Sequence, residues 1–293
     1  MKNGESCRAR DDFVYSAYNA MSLGIAMSAC MPVVFVSHGA PDALLRSPDA
    51  VACWRELGQR ISQPSAILVV SAHWEAVRAT ASQVVVPETI YDFSGFAPAL
   101  YRIQYPAPGA PALAERVVAL LAAAGVSAGL DAGRGLDHGA WVPLSVMYPE
   151  ANIPVMQLAL VAGAGAATHF EMGRILAPLR EQGVLILTSG SITHNFSWLD
   201  WHYTPDQAPL AQAVQFSDWI AEKLAAGDES ALLDYRSAPW GAESHPSEEH
   251  FMPLLVALGA AAGDKPVRCQ PKFTYGALAM DAYLWQASNE VTI

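Results

Sequence analysis

An α/β fold, a single domain with a mainly parallel central sheet flanked by helices, is predicted for this chain by three observations. Continuous apolar, largely β-branched runs at 31–37, 66–71, 154–160 and 184–190 are too short for helices and lack the alternation of half-exposed strands, so they read as strands covered on both faces. Between them lie segments with helical apolar spacing, and strands alternating with helices imply right-handed crossovers within one sheet. The chain has 293 residues, 52% of them hydrophobic, which suits one large core in preference to two.

Composition excludes several classes of partner. A net charge of −11 with only 17 Lys and Arg leaves no basic surface for nucleic acid. Cys7, Cys30, Cys53 and Cys269 lack CxxC spacing, so neither a zinc knuckle nor a disulfide framework is expected, and a reducing, cytoplasmic setting fits. No apolar run approaches the roughly 18 residues of a membrane span. Residues 1–30 mix Arg8, Arg10, Asp11 and Asp12 with a Met-, Ala- and Ser-rich tail, a poor match to a signal peptide. They are read as a flexible or docked N-terminal extension, and 31–293 as the catalytic domain.

In chain order, the strand at 31–37 ends in Ser37-His38-Gly39-Ala40-Pro41, where Gly and Pro force a turn. Val51, Trp54, Leu57 and Ile61 mark a helix over 49–61, followed by the strand at 66–71 and another expected around 83–87. An aromatic loop at 90–101 comes next, and long ordered loops are more often functional than decorative; with two Phe and two Tyr after position 90 it suits the wall of a pocket for a flat substrate, or a satellite cluster of packing residues. A turn at 106–109 leads to an Ala/Leu-rich helix over 110–124 ended by Gly125. His138 then sits between glycines in an expected loop. The strand at 154–160, a helix near 169–182, the strand at 184–190 and a helix over 208–226 follow. Ser247 caps an expected helix that Pro253 forces to start late or kink and that Gly259 ends, and the last strand is expected at 273–280.

Of the eight histidines, His38, His73 and His194 directly follow strands. In open α/β sheets that carboxyl edge is where ligands bind, so imidazoles arriving there from different strands are candidates for a metal or catalytic group. His250, near the Ser247 cap, and His138 are further candidates, with His245 as a competitor for the place of His250. His169 and His202 lack such context and read as surface or packing residues. Imidazole suits zinc and iron alike, and three protein ligands would leave positions open for substrate.

The motifs Ser37-His38-Gly39-Ala40-Pro41, Ser71-Ala72-His73-Trp74, Tyr91-Asp92-Phe93-Ser94-Gly95-Phe96, Tyr105-Pro106-Ala107-Pro108-Gly109, Leu136-Asp137-His138-Gly139-Ala140-Trp141, Ser189-Gly190-Ser191-Ile192-Thr193-His194-Asn195 and Pro246-Ser247-Glu248-Glu249-His250-Phe251, taken together, resemble the extradiol ring-cleaving dioxygenases of the LigB superfamily, closest to the DOPA 4,5-dioxygenase-like branch. The resemblance covers residues 31–283. It implies His38, His73 and His250 as metal ligands, His194 as either a fourth ligand or the catalytic acid/base, and His138 as a residue contacting substrate or oxygen. Tyr91, Phe96 and Trp74 are the expected substrate contacts. Fe(II) is the implied cofactor, with Zn(II) an occupant of the same site. The implied substrates are a small-molecule catechol, DOPA-like or otherwise substituted, and O2, giving a ring-opened semialdehyde. Where the wider superfamily commonly supplies a carboxylate as third ligand, this sequence has His250 preceded by Glu249. The alternatives are a zinc-dependent hydrolase, a non-catalytic metal-binding relative, or a binding protein whose aromatic loop grips a planar ligand without turnover.

Overall fold

Strand β1 (Val33–Ser37) is buried along its whole length, as its unbroken apolar sequence requires. It belongs to a computed structural model that describes residues 30–286, so the expected extension over residues 1–30 lies, but for Cys30, outside the described residues. The other strands are β2 (Ala66–Ala76), β3 (Ala79–Ser82), β4 (Ala128–Asp131), β5 (Val155–Val161), β6 (Val184–Gly190), β7 (Pro266–Cys269) and β8 (Ala282–Trp285). They form one sheet in the order β4-β3-β5-β2-β6-β1-β8-β7. The central β5-β2-β6-β1 ladder is parallel, and antiparallel pairings attach β3 on one side and β8 and β7 on the other.

The longer helices are α1 (Pro48–Arg60), α2 (Pro111–Ala123), α3 (His138–Met147), α4 (Gly165–Leu176), α5 (Ala211–Ala226) and α6 (Met252–Ala261). Successive strand side chains point to opposite faces, so Val33 and Phe35 join a core with α2, α4, α5 and α6, whereas Val34 and Val36 join one with α1 and α3. Helix α6 is buried all round and runs directly against α4. Gly259, expected to end that helix, lies inside it: a Cβ there would stand 2.0 Å from the Phe170 carbonyl oxygen, and one at Gly173 would stand 2.1 Å from that of Val256. The two glycines are what let the backbones approach so closely. Pro253 falls in the first turn of α6, where its missing N–H costs nothing, so the helix starts late and does not kink.

Three other expectations shift. The strand expected around 83–87 is β3 instead, because Ala79 and Ala81 are small enough to bury beneath α2 while Val85 and Val86 are left 69% and 74% exposed. The final strand expected at 273–280 is β8; Tyr275 and Gly276 take φ values of 51° and 69°, which break an extended run, and Ala282–Trp285 pairs with β1. Cys53 on α1 and Cys269 on β7 are paired as a disulfide with a Cα–Cα distance of 6.4 Å, where no disulfide framework was expected. They are 216 residues apart in sequence and meet only because α1 packs beside the β7–β8 edge. Among the described residues no helix is long and apolar enough to cross a membrane.

Candidate active site

His38 leaves the end of β1 with its amide donating to the Gly190 carbonyl, 3.0 Å away, which fixes it beside the end of β6. His73 is not at the end of its strand, since β2 continues to Ala76. It lies where the register against β5 shifts between Val70 and Glu75, and this irregularity places it at the same edge. His250 arrives just before α6, its carbonyl accepting from the Ser191 amide at 2.9 Å. That approach needs Gly190, because a Cβ there would lie 2.3 Å from the His250 carbonyl oxygen. Gly190→Ala is therefore expected to destabilise the fold by about 1–3 kcal/mol, the usual cost of overpacking, and to lower metal content in parallel. Urea denaturation and elemental analysis check it, and unchanged metal content in a destabilised variant would remove Gly190 from the site.

The side chains of His38, His73 and His250 each offer a ligand atom within 4.8 Å of the others. Each Nδ1 already has an outward partner: Ser189 Oγ at 2.9 Å for His38, Asp92 Oδ2 at 3.4 Å for His73, and Glu249 Oε1 at 2.9 Å for His250. The Nε2 atoms are left facing inward, and those of His38 and His73 are 3.0 Å apart. Two nitrogens at the usual 2.0–2.1 Å from one metal and at right angles to each other would be separated by about 3.0 Å, so the spacing of His38 and His73 suits two ligands of one metal ion. Burial is the largest influence on all three imidazoles, followed by the neighbouring histidines. It pushes His38 and His250 well below the ordinary histidine range and His73 to about 4. They are neutral near pH 7, the form a metal requires.

His138 is not in the loop expected for it. It opens α3, capped by Asp137, whose carboxylate accepts from the Ala140 amide, because an Asp before an apolar run is an N-cap signal that outweighs the flanking glycines. Its ring centroid is 4.0 Å from that of His73. Asp92 holds the two together, with Oδ2 3.0 Å from His138 Nδ1 and Oδ1 accepting from the His138 amide. Desolvation alone would raise the Asp92 pKa, but its hydrogen bonds with His138 and the charges of His138 and His73 outweigh it and hold the carboxyl at about 2. Beneath them the fully buried Asp137 accepts from Ser71, Arg134 and Gln157, and Ser71 Oγ accepts the amide of His73. This network fixes the backbone that carries both histidines. His194 stacks on His250 with ring centroids 3.4 Å apart and planes 7° from parallel; it is outside the His38, His73 and His250 group but forms a second possible metal-binding group with Glu249 and His250.

A cavity of about 340 Å³ opens over His73, His138, His194 and His250. Phe96, from the aromatic loop, lines it. Tyr91 and Trp74 do not: Tyr91 backs the wall through Phe93 and Trp141 with its hydroxyl on the Ile103 carbonyl, and Trp74 is buried beneath Arg134. His245 is withdrawn from the cavity, its Nε2 donating to the Ile192 carbonyl and its ring packed on Phe251. Burial holds its pKa down at about 3, with the hydrogen bond to Ile192 opposing. His169 is a packing residue bonded to Gly165 and Val161, and His202 is exposed. Sequence reasoning missed Phe196, Trp201 and Tyr275 in the lining. For the first two a signal existed, the aromatic run directly after His194; for Tyr275, far along the chain, there was none.

The family model described as the catalytic LigB subunit of aromatic ring-opening dioxygenase matches residues 25–282 of the chain. The chain is 41% identical over 246 residues to a 4,5-DOPA dioxygenase extradiol of Escherichia coli K12, covering 83% of this chain and 90% of that protein. It is 44% identical over 235 residues to a protein of the same name from Beta vulgaris, covering 78% and 85%. Among solved structures, an uncharacterised protein of Escherichia coli K12 superposes with a TM-score of 0.72 at 35% identity, covering 87% of this chain and 99% of that one.

Proposed function

Because the chain belongs to the LigB family of aromatic ring-opening dioxygenases and is a metal-dependent extradiol dioxygenase, we propose that His38, His73 and His250 hold Fe(II), that His194 moves the substrate proton, and that the substrate is a substituted catechol, with DOPA as the reference compound of the class. The observation that carries this reading is the gathering of three neutral imidazoles, each oriented by its own outer partner, two of which, His73 and His250, line an aromatic cavity. Ferrous iron supplies redox chemistry that zinc lacks, and a coordination sphere in which catechol and dioxygen are brought together. Zn(II) suits the same donors and would occupy the site without supporting turnover.

The chain's own groups do the rest. His194, whose pKa burial lowers against the opposing charge of Glu249, is neutral near pH 7, and one of its ring nitrogens can accept the catechol proton and later return it. His138, held by Asp92 at the cavity wall, is placed to hydrogen-bond the substrate or dioxygen. Phe93 and Phe96, edge to face with each other, give a flat ring an apolar wall and exclude water. Both oxygen atoms of O2 enter the product as one ring carbon–carbon bond beside a hydroxyl-bearing carbon breaks, giving a ring-opened semialdehyde. A cytoplasmic setting would keep the iron ferrous.

Anaerobic loading with Fe(II), followed by oxygen uptake with a panel of catechols, tests the reading. One O2 consumed per catechol, with a yellow product, is expected, whereas hydrolysis of an ester without oxygen would support the zinc hydrolase alternative. Phe96→Ala is expected to weaken catechol binding by about tenfold, the scale of a lost aromatic contact, while metal affinity stays as it was. Equal loss of both in paired titrations would make Phe96 a scaffold residue.

A further inference from the structure

One wall of the cavity is shared by two distant stretches of chain. Gly39, Ala40 and Pro41 line it from the segment between β1 and α1, and Tyr275 and Leu278 line it from the segment between β7 and β8. The two stretches are tied at the wall itself: the Tyr275 hydroxyl donates to Asp42 Oδ2 at 2.7 Å, and Arg46 lies 5.0 Å over the Tyr275 ring. They are tied a second time at their far ends, because the first runs into α1, which carries Cys53, and the second starts from Cys269, the last residue of β7. Strand β7 is the edge of the sheet and pairs with β8 alone, so the bond to Cys53 adds an anchor that the ladder does not supply. Helix α1 is held without it: Gly58 lies against α3, where a Cβ would stand 2.4 Å from the Met147 carbonyl oxygen. Both cysteines line a cavity of about 140 Å³, and Cys269 is only half-buried, so the sulfurs are within reach of a small thiol.

From these observations we propose that the Cys53–Cys269 disulfide is a reversible redox tie, opened and closed by exchange with a low-molecular-weight thiol and its disulfide, and that its state sets how firmly the wall carrying Tyr275 is held. The effect on catechol binding rests on the catechol-cleaving reading of the site; the exchange and the loosening of the wall do not. In opening, a small thiolate attacks the Cys269 sulfur, the S–S bond breaks, and Cys53 leaves as a thiolate that takes up a proton. A second small thiolate attacks the mixed disulfide, freeing Cys269, which is protonated in turn, and releasing the small disulfide. Two electrons and two protons thus pass from two small thiols to the protein, and closing is the reverse. A chain of 293 residues with a large core does not need a staple in order to fold, which leaves the bond free to act as a switch. When it is closed, α1 and β7 hold both ends of the wall in place for a ligand. When it is open, β7 can fray at the sheet edge, and residues 270–281 gain freedom that a bound ligand must then remove.

The test equilibrates the full chain in glutathione buffers from reduced to oxidised and then removes the glutathione anaerobically. Peptide mapping by mass spectrometry after alkylation reads the link, hydrogen exchange reads the amides of residues 270–281, and anaerobic calorimetry reads the Kd of L-DOPA on the Fe(II)-loaded protein. The expected result is a Cys53–Cys269 link that follows the glutathione ratio in both directions. In the reduced form, exchange over 270–281 is expected to be at least about fivefold faster and L-DOPA to bind about three- to tenfold more weakly. Cys53→Ser is expected to match the reduced parent at every ratio, and should that variant fail to fold, the reduced parent itself supplies the comparison. A pair that never links, a pair still linked in excess reduced glutathione, or a lone glutathione adduct on Cys269 overturns the proposal. Equal exchange over 270–281 in the two states overturns it as well, as does L-DOPA bound equally by both. If L-DOPA binds neither state, the catechol-cleaving reading fails, and the exchange measurement still decides the tie.

Discussion

Replacing His38 by Gln is expected to leave a folded protein that holds no metal and consumes no oxygen. His38 is 1% exposed, and its Nδ1 is tied to Ser189, so its Nε2 has one direction to face. The Gln amide can keep a hydrogen bond to Ser189 but is a poor ligand, and the fold has no other imidazole in that place. Losing even an outer partner of a ligand commonly costs about 10–100-fold in affinity, and losing the ligand itself exceeds that. Metal content by elemental analysis, circular dichroism and oxygen uptake together decide the matter. Full metal occupancy in His38→Gln would show that the ion is held elsewhere in the histidine group.

His194→Gln separates proton transfer from metal binding. The variant is expected to bind Fe(II) and catechol as the parent does while turnover drops by about 10²–10⁴, the usual contribution of a general acid/base. Stacking on His250, not convergence with the three ligands, is what motivates the distinction. A pH profile adds a second readout. Since burial lowers the pKa of His194, its proton-accepting form dominates at neutral pH and is lost only as the pH falls below the ordinary histidine value of about 6.5. The acidic limb of the parent's kcat profile should therefore be absent from the variant. Loss of metal in His194→Gln, with the same affinity change as in His38→Gln, would make it a fourth ligand.

How far the site could be read before the fold was known depended on whether a residue's signal was local. Buried parallel strands announce themselves by short apolar runs, and a His directly after such a run must sit at the carboxyl edge, so His38, His194 and the fold class were legible. The place of His73 was legible too, although the irregularity in β2 that delivers it was not. Propensity misled where burial decided otherwise: Val85 and Val86 favour a strand but remain exposed, and the small Ala79 and Ala81 take the covered place.

By itself the sequence determined the parallel sheet, the histidines that gather at its edge, the aromatic loop and the acidic balance of charge, because each is written in neighbouring residues or in composition. Only the tertiary structure decided which imidazoles lie close together, that His245 turns away to Ile192, that Asp92 ties His73 to His138, and that Cys53 meets Cys269. It also decided that Tyr275 closes a cavity begun at residue 39. These depend on how separate elements are set against one another by packing, with Gly190 admitting His250 and α1 lying beside β7, and spacing along the chain carries no record of such meetings.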